Sequence, residues 1–485
     1  MVPQPNVVLV VADTTRADDA FDPHVAPTIA ELRRNGTTAT RAFSTAPWTL
    51  PAHGSLFTGT PSSMHGAHAD HERLDGDLPT LPGLFRDAGY ETVGASNNTW
   101  VSVEGGFDRG FEQFRQMWQL VQSSTALGEV DDVLGESRIR ALAREVFDGN
   151  PLANVTNVLY HYVARGRSEG GGGRTTDWIA EWLDDRDEHR PFFLFANYIE
   201  PHLDYRPPKR HAVEYLSEGV SYREALEVPQ KPWEYLAGNV TLDEQELRIL
   251  RGLYRAEIAW FDEHLARLRE VLIEAGEWDD TVLVVVGDHG ENVGDHGMMD
   301  HQYCLYDSLI HVPLVLCGGA FDGGEELTDL VSLVDLPPTL LDVAGIEVPE
   351  AREQFLGRSF HPDADADSRE FVVSEYVAPQ PTMEALERHV GDLPEHVYQY
   401  DRSLRAIRTD EYKLVRGSDG STELHDLDAD PGERRDLSGD RPERVAALSD
   451  RLDDWLASFE HAEVEESVAI DDEREAQLER LGYLR

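Results

Sequence analysis

Lysine is almost missing from the chain, and cysteine is scarcer still. There are three lysines, Lys209, Lys231 and Lys413, and two cysteines in 485 residues. Two cysteines exclude a disulfide framework. Cys304 and Cys317 lie in an apolar stretch without metal-site spacing, so both are expected as buried small hydrophobes. No apolar run approaches the length that spans a bilayer. The run from Val7 to Val11 is too short for a secretion signal and no basic segment precedes it, so a soluble, cytoplasmic protein is expected. Positive charge is the third shortage: 43 Lys+Arg face 92 Asp+Glu, for a net charge of −49. Such a surface repels nucleic acid and anionic membranes, and neither is expected as a partner. The acidic residues are spread along the whole chain rather than gathered as a patch for a cationic partner. That spread points to a surface adapted to high salt, where repulsion is screened within roughly a few ångströms, and to a halophilic microbe.

What is present describes a folded protein. A hydrophobic content of 40% and nine tryptophans suit a large domain plus a smaller one, each with its own core. The stretch from Asn6 to Ala12 is a continuous apolar run ending in a polar turn, the pattern of a strand buried on both faces. A helix is expected from Ala26 to Asn35 with Gly36 as its stop, and the pattern repeats from Leu78 to Gly89 before a strand from Glu91 to Ala95. Further buried strands are read at Phe192 to Ala196, Thr281 to Val286 and Val312 to Leu316, with a long helix from Asp243 to Ala275. Alternating strands and helices predict an α/β/α sandwich around a mostly parallel sheet. Residues 117–175 read as a helical insertion ending in the loop Gly166 to Gly173, a surface connector rather than a phosphate cradle. The Pro/Asp-rich segment from Phe360 to Ser368 marks the expected domain boundary, which gives 1–365 and 366–485. The smaller, C-terminal α+β domain would contain strands within Phe371 to Tyr376 and Leu404 to Arg416, and a helical tail from Pro442 to the end.

In a parallel sheet, ligands gather at the carboxyl ends of the strands. The polar groups directly after strands here are Asp13-Thr14-Thr15-Arg16, Asn197 to His202, and Asp288-His289-Gly290, which would converge on one edge. Two carboxylates, an imidazole and a hydroxyl make a compact oxygen/nitrogen site for a divalent cation. Such an ion lowers the pKa of a coordinated hydroxyl and stabilises charge on ester oxygens. The plainer alternative is that Asp13 merely caps the turn after its strand. Asn98, just beyond the Glu91 strand, can contact an ester oxygen or cap its own loop. His65 and His68 read as part of a surface turn with no catalytic role.

The segment Thr49-Leu50-Pro51-Ala52-His53-Gly54-Ser55-Leu56-Phe57-Thr58-Gly59 resembles the sulfatase signature C/S-x-P-S-R-x-x-L-x-T-G. Six further segments keep the family's order. Asp13-Thr14-Thr15-Arg16-Ala17-Asp18 is similar to the opening D-D-x-R-x-D. Gly287 to Gly297 resembles the late metal motif, and Leu305 to Leu314 the stretch after it. Ser332 to Gly345 resembles the helix closing the large domain, while Arg405 to Lys413 and Glu423 to Glu433 resemble its C-terminal pieces. The chain is thus identified as a member of the sulfatase family, within the alkaline phosphatase superfamily. The resemblance implies that Asp13, Asp288 and His289 hold one divalent ion (Ca, Mn, Mg or Zn) and that Thr49 is the nucleophile contacting it. His202, in Glu200-Pro201-His202, would contact a substrate oxyanion or protonate the leaving group. His301 falls where many sulfatases carry a leaving-group lysine; it could take that role, or join His202 and Glu200 around a second metal, a set that cannot be completed convincingly. Asn98 lies near the place of a substrate-binding lysine.

Three departures set this chain apart. Thr49 stands where the family has a cysteine or serine that becomes formylglycine, and a secondary alcohol cannot give that aldehyde. Thr14 replaces the second aspartate of the opening pair, and His53 replaces the motif arginine. Together they resemble the threonine-nucleophile phosphoesterases, so a phosphoester or phosphodiester is the expected substrate. A sulfate ester is the rival, and a non-catalytic glycan- or anion-binding protein a third reading. The leaving group would belong to a small molecule, a glycan or a lipid headgroup. Thr45, in Thr45-Ala46-Pro47, fits part of the signature but misses its downstream spacing.

Overall fold

Strand Asn6–Ala12 is buried along its whole length, and its side chains divide by the two-residue period of a strand. Val7, Leu9 and Val11 enter one apolar core, while Val8, Val10 and Ala12 enter another. Phe193 and Phe195 of strand Phe192–Tyr198 and Val282, Val284 and Val286 of strand Thr281–Gly287 join the first core. Their alternates Phe192, Leu194, Leu283 and Val285 join the second. A sheet buried on both faces needs a layer on each side, and burying each such side chain contributes about 1.5–3 kcal/mol. The computed structural model describes residues 4–74, 76–119, 171–186, 190–364 and 367–462.

The central sheet has eight strands in the spatial order Glu325–Leu327, Thr37–Ala39, Leu314–Cys317, Thr281–Gly287, Asn6–Ala12, Phe192–Tyr198, Glu91–Ser96 and Gln113–Gln116. All run parallel except Leu314–Cys317, which pairs antiparallel with both neighbours. The expected strand from Val312 to Leu316 is split at Pro313. His311–Val312 belongs to a separate three-stranded sheet, and Leu314–Cys317 enters the main one, because proline has no N–H for the ladder.

Helix Glu244–Glu274 covers the second core with Leu250, Leu253, Phe261, Leu265 and Leu268. Its start is fixed by a capping box: Asp243 accepts from the Gln245 and Glu246 backbone N–H, and Glu246 accepts from Asp243 N, a device contributing about 1 kcal/mol. The other helices fall at Pro27–Asn35 and Leu81–Asp87, close to expectation. Most of the insertion expected at 117–175 lies outside the described residues. Gly171 to Gly173, read as loop, instead open helix Gly171–Asp185. The glycines cost helix propensity, and burial of Thr175, Ile179, Trp182 and Leu183 offsets it.

Beyond residue 367 a four-stranded antiparallel sheet runs in the order Val372–Tyr376, Leu404–Arg408, Tyr412–Gly417, Thr422–Asp426. One face (Val373, Ile407, Leu414, Leu424) packs on helix Pro442–Leu456. The opposite face joins the larger domain: Val372, Ala406 and Val415 merge into its first core. The joint also carries buried charge. Lys413, fully buried, is held by Asp307 across the joint at 2.7 Å and by Glu433. Cys304 and Cys317 are buried and free, as expected.

Candidate active site

Three strand ends deliver the polar groups to one place. Asp13 extends the central strand, its N–H bonded to Tyr198 O at 3.0 Å. Asp288 and His289 follow Gly287, and Asn98 follows strand Glu91–Ser96. Thr49 arrives from outside the sheet as the first residue of helix Thr49–Thr58, after Trp48 in extended conformation. No side chain caps that helix, so its first N–H groups and the positive end of its dipole are free to face an oxyanion. Gly59 ends it in the left-handed conformation (φ 68°) with its N–H on Ser55 O. Gly290 is required for a different reason. A Cβ there would lie 2.1 Å from Ser308 O, so only glycine lets the Asp288–His289 loop pack this closely.

The geometry brings together Asp13, Thr49, Asn98, Asp288 and His289, all fully or almost fully buried. Thr49 Oγ1 is 3.3 Å from His289 Nε2 and accepts from Asn98 Nδ2 at 3.1 Å. Asn98 Nδ2 also donates to Asp13 Oδ2, while its Oδ1 accepts from Trp100 N at 2.9 Å. Asn98 therefore does both things expected of it as alternatives: one end caps the loop and the other faces the site. His289 Nδ1 lies 2.9 Å from Gly290 O, which places the ring proton on Nδ1 and leaves the Nε2 lone pair toward the carboxylates. That nitrogen is 3.4 Å from Asp288 Oδ2 and 3.8 Å from Asp13 Oδ1.

The donor set fits a divalent cation. Asp13 Oδ1, Asp288 Oδ2 and Thr14 Oγ1 are buried with no hydrogen-bond partner, which is costly unless a ligand completes them. Without an ion, burial, partly offset by the Asn98 hydrogen bond, raises the Asp13 carboxyl to about 6. Burial and then the neighbouring Asp13 push Asp288 well above its ordinary value. His289 is held well below the usual imidazole value by burial and then by His301, and so remains neutral. Thr14 takes a left-handed conformation (φ 53°), its N–H on Asp288 Oδ1 at 3.1 Å and its carbonyl accepting from Tyr254 Oη at 2.7 Å. That conformation is costly for a β-branched residue.

The remaining candidates divide. His53, one turn after Thr49, places Nδ1 3.0 Å from Thr49 O and 3.5 Å from Asp288 Oδ2, with its ring edge-on to Phe107 and Phe195. Burial takes its pKa down to about 4, so it is a neutral brace behind Thr49. His202 and His301 lie side by side, ring centroids 5.2 Å apart, and His301 is 4.6 Å from His289. Burial and then His301 lower His202 to about 4. His301 is held well above the imidazole value: burial opposes the charge, but Asp300 and Glu291 more than offset it. Thr45 is buried, and its carbonyl accepts from Glu375 N at 2.7 Å.

His65 and His68 are not on a surface turn; they are 4% and 8% exposed. Helix Ser62–His65 folds back on helix Thr49–Thr58, and the His65 ring, 3.3 Å from Ser55 Oγ, lies where a Cβ on Gly54 would be 2.6 Å away. Sequence reasoning missed Glu291 and Asp300, which meet at His301. Their signal was an Asp-His pair following closely on Asp288-His289-Gly290-Glu291.

A mostly parallel sheet with Asp and Asp-His at its carboxyl edge, facing a helix-borne hydroxyl, defines an alkaline phosphatase-like ester hydrolase. Comparison with known proteins agrees. Residues 5–346 match the Sulfatase family model, and 294–461 match that of the N-sulphoglucosamine sulphohydrolase C-terminal region. The chain belongs to the sulfatase family and is an enzyme that hydrolyses sulfate or phosphate esters. It is 24% identical to arylsulfatase K of Xenopus laevis, over 93% of this chain and 82% of that protein. It is 23% identical to N-acetylglucosamine-6-O-sulfatase of Bacteroides thetaiotaomicron, over 90% of this chain and 83% of that one. The phosphonate monoester hydrolase of Agrobacterium radiobacter superposes with a TM-score of 0.67 at 21% identity, covering 94% of this chain and 96% of that structure. No helix among the described residues is long and apolar enough to cross a membrane.

Proposed function

We propose that this enzyme cleaves phosphate mono- or diesters with unmodified Thr49 as nucleophile. The observation that carries this is the placement of the Thr49 hydroxyl at a helix N-terminus, 3.3 Å from His289 Nε2 and in hydrogen bond with Asn98. Asp13, Asp288 and His289 would hold one divalent ion which, when bound, lowers the pKa of the Thr49 hydroxyl and offsets charge on the ester. Asn98 aims Thr49 Oγ1 and bridges it to Asp13, and His53 braces the backbone behind it. Thr49 Oγ1 gives up its proton to solvent and forms a bond to phosphorus as the bond to the leaving oxygen breaks. The leaving oxygen takes a proton from the His202–His301 pair, of which His301 is the member that retains one. Water then attacks the phosphoryl-threonine and restores the hydroxyl.

A sulfate ester is the second reading, favoured by the names of the relatives in sequence, which are sulfatases. The leaving group would be a small alcohol, a glycan or a lipid headgroup, in the cytoplasm of a halophilic microbe. The test is turnover of p-nitrophenyl phosphate, bis-p-nitrophenyl phosphate and p-nitrophenyl sulfate at high salt with Mn²⁺, Mg²⁺, Ca²⁺ or Zn²⁺. Phosphate esters should be cleaved, Thr49→Ala should abolish turnover with fold and metal retained, and Thr49→Ser should keep part of it. Sulfate-only turnover, or full activity in Thr49→Ala, contradicts the proposal.

A further inference from the structure

We infer that Glu291, Asp300 and His301 form a second divalent-cation site beside the first, so that the centre is dinuclear. Their ligand atoms converge closely enough to share one ion. His301 Nδ1 lies 2.6 Å from Asp300 Oδ1 and 3.5 Å from Glu291 Oε1. Despite that proximity, Nδ1 and both Glu291 oxygens are buried without a properly aligned hydrogen bond. Without an ion, His301 and Asp300 make a close ion pair, and the Glu291 oxygens converge on the same point. A fourth group independently faces the same place. The hydroxyl of Tyr205, fully buried, interacts with the Glu291 carboxylate.

Charge balance gives the same answer. Asp13, Asp288, Glu291 and Asp300 are all buried in one region. Among the described residues, the cationic partners within ion-pair range of their carboxylates are histidines, with no lysine or arginine. Arg16 approaches Glu291 through its backbone carbonyl, and its charge is taken by Asp295. One divalent ion at Asp13, Asp288 and His289 balances two of the four carboxylates, and an ester entering the site brings further negative charge. A proton on His301 balances one charge, whereas a second divalent ion balances both remaining carboxylates. Two carboxylates and an imidazole suit Zn²⁺ or Mn²⁺. Coordination through Nδ1 leaves the Nε2 hydrogen of His301 as a hydrogen-bond donor to the leaving oxygen, and in the doubly loaded site the proton itself would come from water.

This inference rests on the proposed function only in taking Asp13, Asp288 and His289 as the first site, and its test does not depend on turnover. Chelator-stripped full-length protein is equilibrated with Mn²⁺ alone, then with Zn²⁺ alone, at high salt, and bound metal is counted by elemental mass spectrometry. About two equivalents are expected in the wild type, about one in Glu291→Gln and Asp300→Asn, and about one in Asp288→Asn. The Mn²⁺ electron paramagnetic resonance spectrum should show a magnetically coupled pair that each variant converts to an isolated ion. One equivalent in the wild type with both metals overturns the inference and leaves His301 as a protonated partner of Asp300. Two equivalents retained in both Glu291→Gln and Asp300→Asn overturn it as well, by placing the second ion elsewhere. Should the variants fail to fold, the wild-type spectrum decides: a coupled pair supports the dinuclear centre and an isolated ion rejects it. Full turnover by Thr49→Ala would defeat the proposed nucleophile while leaving these counts unchanged.

Discussion

Stripping the metal should make the stability of this protein fall as pH rises from about 4 to about 6. The cause is the Asp13 carboxyl, raised by burial from 3.8 to about 6 in the metal-free fold. Below pH 4 the group is protonated in both folded and unfolded chains, and its contribution to stability is fully present. Between pH 4 and 6 the unfolded chain releases the proton while the fold retains it. Above 6 the fold carries a buried carboxylate with no cation beside it, and the contribution is lost. The shift corresponds to about 3 kcal/mol. With an unfolding entropy of about 2 cal/mol/K per residue, a chain of 485 residues loses about 1 kcal/mol per degree, so the effect is about 3 °C. A bound ion keeps the carboxylate paired at all these pH values. Thermal unfolding followed by circular dichroism, chelated against Mn²⁺-loaded, should therefore show a gap in Tm that widens by about that amount from pH 4 to 7. Asp13→Asn should reduce the pH dependence, leaving the part that comes from Asp288, whose carboxyl burial also raises. A gap that stays constant or narrows with pH in the wild type, or an unchanged slope in Asp13→Asn, would refute the reasoning.

Two other outcomes are expected. Lys413→Met leaves Asp307 and Glu433 facing each other at the joint between the sheets and should cost about 3–5 kcal/mol in denaturant unfolding; a loss below about 1 kcal/mol would show that the buried ion pair is not a main tie. Lowering NaCl from multimolar to about 0.1 M lengthens the screening distance to about 10 Å, and with a net charge of −49 the Tm should drop by many degrees. A Tm indifferent to salt would count against the halophilic reading of the surface.

The strands most legible in the sequence were those buried on both faces, because Asn6–Ala12 and Thr281–Gly287 are unbroken apolar runs. The polar residues directly after them were legible as a candidate site for the same reason, since a parallel sheet sends its strand ends to one edge. Thr49 came from its motif, and the fold set it against His289 and Asn98. What could not be read depended on contacts distant in sequence. His65 sits three residues before His68 in a polar stretch, and only the packing of one short helix on another buries it. Glu291 and Asp300 approach His301 through a tight loop with Asp300 in left-handed conformation (φ 72°), a geometry no spacing rule supplies. The small sheet showed its alternation plainly, but not that one of its two faces would complete the core of the larger domain.

The central claim is that the unmodified Thr49 hydroxyl attacks the ester. It is tested most directly by acid-quenching the wild-type enzyme during turnover of p-nitrophenyl phosphate and mapping the modified peptide by mass spectrometry. The account requires threonine at position 49 in the resting enzyme and a phosphoryl group on Thr49 in the quenched one. Steady turnover with the label on another residue, or with Thr49 never modified, would contradict it.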